Sequence, residues 1–130
     1  MADESVKVRA VESIRATITA SERLREGLLN GENIGRTMIE AIESGVSVAH
    51  STDASGQDAS TLRSSMNDLL EEFQHARHKM RIAFMLPSID DGMSISEIAR
   101  TLGVSRQLAQ RLVHEAREEE RTHMLRHTAQ

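Results

Sequence analysis

The sequence predicts an all-α protein, with N-terminal helices of a bundle or coiled-coil-like kind followed by a C-terminal helix-turn-helix without a wing. Three observations carry this. Apolar residues recur every three or four positions through most of the 130-residue chain, which is the spacing of a helix face. Only Phe73 and Phe84 are aromatic and only one residue is proline, so a core has to come from Leu, Ile, Val, Met and Ala. Glycines and small polar clusters fall between the periodic stretches, where helices stop.

The first periodic stretch runs from about Val6 to Leu29, with Val8, Val11, Ile14 and Ile18 on one face. The β-branched run Ala16-Thr17-Ile18-Thr19 is a weak point for a helix. Asn30-Gly31 reads as a stop signal. A second, shorter stripe follows in Ile34, Met38, Ile42 and Val46, ending near Gly45. The segment from about 47 to 60 is small and polar and reads as a loop, with Asp58 or Ser60 able to cap the next helix.

That next helix, about 60–86, has the clearest pattern. Leu62, Met66, Leu69, Phe73, Ala76, Met80 and Ala83 alternate spacings of 4 and 3, the seam of a coiled coil or helical bundle. In a parallel dimer Glu72 and Arg77 would flank the seam and pair across it. Leu70 and Phe84 widen the apolar stripe, which favours a bundle. The seam is open to two partners: the earlier helices of the same chain, or a second chain. Pro87 is expected to end this helix, and Asp90-Asp91-Gly92 reads as a turn. Residues 1–86 are thus expected to form a helical oligomerisation or regulatory region, distinct from residues 87–130, whose last helix is extended.

Ser94-x-x-Glu97 is a capping box that opens a short helix, with Ile95, Ile98, Ala99 and Leu102 inward. Gly103 tolerates the positive φ of a sharp turn, Val104 plugs its inside, and Ser105 caps the helix that follows. Leu108, Ala109, Leu112, Val113 and Ala116 give that helix its buried side. Residues 95–114 resemble the helix-turn-helix of bacterial DNA-binding regulators, of the kind also found in sigma-factor-like and resolvase-like domains. The resemblance rests on Ile98-Ala99, on Leu102-Gly103-Val104-Ser105, and on Leu112 nine residues past the glycine. Ala109 departs from it, since the motif more often has a β-branched residue there. The resemblance covers about a quarter of the chain, and none is evident for residues 1–86.

The resemblance implies that the second helix enters the major groove with its first turns against base edges. Arg106, Gln107, Gln110 and Arg111 are the expected base readers. Arginine bonds O6 and N7 of guanine as a fork, and glutamine bonds N6 and N7 of adenine in the same way. His114 and Arg117 lie further along and are expected on phosphate, with Ser94, Ser96 and Ser105 at the two helix starts. Arg77, Lys79 and Arg81 on the preceding helix either touch the DNA backbone or balance acidic residues.

Charge distribution agrees with two roles in one chain. Residues 1–72 hold 7 basic and 13 acidic groups, whereas residues 73–130 hold 9 basic and 7 acidic. The overall net charge of −4 argues against a generic nucleic-acid binder. Glu118-Glu119-Glu120 would be repelled by DNA and are placed beyond the duplex.

The chain has no Cys, which removes disulfides and thiolate chemistry and fits a cytoplasmic protein. No signal peptide or membrane span is expected. His75 and His78, like His123 and His127, have a spacing that can hold zinc, but neither pair has an evident third ligand, so no metal and no cofactor is expected. No catalytic constellation stands out, and no enzyme is expected. The expected function is sequence-specific binding of double-stranded DNA by a homodimeric transcriptional regulator. The alternative is a helical adaptor whose motif binds a protein, with the acidic N-terminal half as a docking surface. The Arg106–Arg111 face separates them: burial of it against the N-terminal helices would favour the adaptor.

Overall fold

The computed structural model describes residues 4–128, with side chains as far as residue 126. It consists of helices joined by short turns, with no strand among the described residues. Helix α1 spans Glu4–Glu43, a 3-10 helix spans Val48–Ser55, and α2 spans Ala59–Asp90; α3 is Ile95–Leu102 and α4 is Arg106–Thr128. The chain divides into two compact units. One is residues 17–75; the other combines the start of α1, as far as residue 16, with residues from 76 onward.

Within the 17–75 unit, α1 turns its small residues inward. Ala20 is buried, and Leu24, Gly27, Ile34, Met38 and Ala41 are half-buried. Side chains of α2 come close enough at Gly27 that a Cβ there would lie 2.5 Å from Cδ1 of Leu69 and 3.4 Å from Cε of Met66. Leu62, Met66, Leu69 and Phe73 are half-buried, and for Leu69 and Met66 the space is bounded by α1 of the same chain. Arg23 adds an ion pair with Glu72 at 3.0 Å. Glu72 is therefore engaged within its own chain rather than reserved for Arg77 of another.

The polar segment after α1 is more ordered than a loop. Ser47 caps the 3-10 helix by accepting from the His50 N–H, and Ser51 is fully buried with its hydroxyl on the Val48 carbonyl. Asp58 caps α2, accepting from both the amide and the hydroxyl of Thr61, and these bonds hold its carboxyl below the usual carboxylate range.

Three expectations from the sequence are corrected here. The first helix does not stop at Asn30-Gly31, nor break at residues 16–19; it continues to Glu43. Gly31 lacks the positive φ of a C-cap, which the chain places at Gly45 instead. The shared face of Val8, Val11, Ile14 and Ile18 turns outward, with these residues 51%, 47%, 45% and 53% exposed. Ala20 and Gly27 hold an inward face where larger side chains would keep the helices apart. Finally, Pro87 does not end the third helix. It lies inside α2, which reaches Asp90. Proline inside a helix costs about 3 kcal/mol. Here Ile82, Met85 and Ile89 continue the helical face into the core on either side of it. The Ser88 hydroxyl also takes the Phe84 carbonyl at 2.7 Å.

The C-terminal unit has its own core. Ile82 and Met85 of α2, Ile98 of α3, and Leu112, Val113 and Ala116 of α4 form one buried cluster. Leu86, Ile89, Met93, Ile95, Leu102 and Leu108 pack around it. Three helices therefore share a single centre, which fixes the two that matter for the site.

Candidate nucleic-acid interface

The site begins with the turn into α3. The Ser94 hydroxyl accepts from the Glu97 N–H at 3.1 Å and donates to the Glu97 carboxylate at 3.2 Å. Replacing Ser94 with alanine removes both bonds from an eight-residue helix. A loss of about 1 kcal/mol is expected, read as a lower urea midpoint of the full chain.

α3 ends in a glycine-capped turn. Gly103 adopts φ 69° and ψ 34°, the left-handed region that a side chain disfavours. The Val104 N–H then reaches back to the Ala99 carbonyl at 3.0 Å, closing the last turn. Ser105 starts α4 by accepting from the Leu108 N–H at 3.1 Å. The hydroxyls of Ser94 and Ser105 are thus both occupied by capping, yet both residues are exposed, as is Ser96. Ala109 is fully buried and Ala99 nearly so, so α4 enters the core through a small residue immediately behind the turn.

Burial of Leu112, Val113 and Ala116 orients the rest of α4. Gln107, Gln110, Arg111 and His114 recur at three and four residues and line one shallow groove on the exposed side, together with Glu115. Arg106 is exposed at the first position of the helix. All four expected base readers are therefore presented to solvent in the first turns of α4. Arg106 and Arg111 form no ion pair among the described residues. His114, expected on phosphate, lines the same groove. Arg117 is set apart, beside Leu86, Met124 and Leu125.

Glu115 was not singled out from the sequence. It lines the same groove and holds Nε2 of His78 at 2.8 Å. The acidic run after it is also engaged: Glu118 pairs with Arg121, Glu119 with Lys79 at 3.4 Å, and Glu120 with Arg9 at 2.8 Å. Lys79, a candidate phosphate contact, thus pairs with α4 while staying exposed, as Arg77 is. Of the histidine pairs, His78 is held by Glu115, and the His127 side chain lies outside the described residues. Among the described residues no cluster of three or more His, Asp or Glu has the geometry of a metal site.

The arrangement is a short capped helix, a glycine turn, and a second helix with fork-shaped and amide side chains behind the turn, all held on one core by a third helix. Residues 75–121 match the family model of the homeodomain-like domain. The match begins in the second half of α2 and ends within α4, so the homeodomain-like domain takes α2, α3 and α4 as its three helices. Its last two are the helix-turn-helix, and α4 occupies the place of the helix that meets DNA in such domains. No match to this chain was found among curated proteins or solved structures.

Proposed function

We propose that this chain is a sequence-specific DNA-binding protein, a transcriptional regulator that acts as a homodimer in the cytoplasm and catalyses no reaction. One observation carries the reading. The face made by Arg106, Gln107, Gln110 and Arg111 is exposed, directly behind the helix-turn-helix turn, with neither arginine committed to an ion pair. Each of these side chains can form a two-pronged bond with a purine edge. Ser94, Ser96, Ser105, His114 and Arg117 are the positioning contacts to phosphate, alongside the α3 N-terminus.

A single short module of this kind binds weakly. Two recognition helices that read half-sites a helical turn apart gain by acting together. Selection of the full chain on a random-sequence duplex pool at near-physiological salt tests the reading. The expected result is an enriched inverted repeat. A folded, helical protein that enriches no sequence would overturn it.

A further inference from the structure

Helix α1 carries a second heptad stripe that its own chain leaves uncovered. Ile18, Leu28, Leu29, Ile39 and Ile42 are 53%, 50%, 54%, 56% and 37% exposed. Ser21, Arg25, Glu32 and Gly35 complete the same alternation of three and four residues. Five large apolar side chains on one face of one helix are more than the scattered exposure of a monomer surface.

The charges on this stripe say what covers it. In a parallel pairing with a second copy, Arg25 would meet Arg25 and Glu32 would meet Glu32 inside the seam, two like-charge contacts. In an antiparallel pairing one register removes both. Ile18 then packs on Ile42 of the second copy, Ser21 on Ile39, Arg25 on Gly35, and Leu28 on Glu32. A Cβ at Gly35 would meet nothing within 4 Å, so the position has room for the Arg25 side chain. Glu32 lies one turn away on the same face as Gly35, within reach of that guanidinium. The flanking positions agree: Glu22 falls opposite Arg36, and Leu29 opposite Leu29. Moving the register by one heptad sets Glu22 against Glu43 in one direction, and Ile18 against Gly35 in the other. Glu22, Arg25 and Glu32 are exposed and form no ion pair within the chain among the described residues.

We infer that the outward face of α1 between Ile18 and Ile42 binds a second copy of this chain, antiparallel, in that one register. The contact is isologous, the same patch serving both copies about a two-fold axis near Leu29. The inference rests on the homodimer in the proposed function and names the surface that makes it.

The absence of Cys makes the full chain suitable for a cross-linking test. Ser21→Cys and Ile39→Cys in one chain, oxidised gently, are expected to give a covalent dimer. A mixture of the two single variants is expected to give it too, whereas neither single variant alone should. Linkage of Ser21→Cys to itself would overturn the antiparallel pairing. Glu22→Arg is expected to weaken the dimer about tenfold in sedimentation equilibrium, and Arg36→Glu in the same chain to restore it. A dimer that ignores both changes and does not cross-link assembles through another surface, which overturns this inference and leaves the homodimer standing. A monomer at micromolar concentration overturns both. Enrichment of any sequence from the duplex pool, an inverted repeat or a single half-site, reports DNA reading apart from either result.

Discussion

Leu112→Ala is expected to destabilise the C-terminal unit by about 2–5 kcal/mol, the range for truncating a buried leucine whose cavity closes only in part. Leu112 is 1% exposed and belongs to the one cluster shared by α2, α3 and α4. Domains of this size hold only about 5–15 kcal/mol in total, so the loss is a large share. In urea, followed by circular dichroism, the full chain should show helix lost at a lower concentration than in wild type. The same variant should lose DNA binding, because α4 is held by this core. An unchanged midpoint would mean that α4 does not depend on the cluster for its position.

Arg111→Ala is expected to change what the protein reads more than how tightly it grips. A forked bond to guanine contributes about 1–3 kcal/mol of discrimination at one base pair. The enriched site should therefore lose its preference at one position of each half-site and keep the others. A uniform fall in affinity across all sequences would instead assign Arg111 to phosphate. Its location favours a base edge: it lines the same groove as Gln107 and Gln110, well before Arg117.

The helix-turn-helix was legible because its signals are local. The Ser94 cap, the Gly103 turn, the Ser105 cap and the inward run through Ala116 each depend on neighbours within a few residues, and all agree. The N-terminal half was harder to read for a physical reason. Its inward face is lined partly by Ala20 and Gly27, which add little hydrophobicity, whereas Val8, Val11, Ile14 and Ile18 form a more conspicuous stripe that faces solvent. Periodicity finds an apolar face but does not say which partner it meets. Asn30-Gly31 and Pro87 mislead in the same way. Both disfavour a helix locally, yet α1 runs through the first and the Ile82–Ile89 core contacts carry α2 through the second. The groove role of Glu115 lay in a contact with His78, 37 residues away in sequence, which no local pattern reports.

The ion pairs along α4 bear on how such a protein would search a chromosome. Lys79 and Arg9 are held by Glu119 and Glu120, so cations of the C-terminal unit are partly neutralised from within. Each phosphate contact that a protein makes steepens its salt dependence and strengthens its hold on DNA of any sequence. With only Arg106, Arg111, Arg117 and Arg126 of α4 outside ion pairs among the described residues, non-specific residence would be brief. The protein would sample DNA by frequent dissociation more than by long sliding, and its dwell time would be set by the bases it meets.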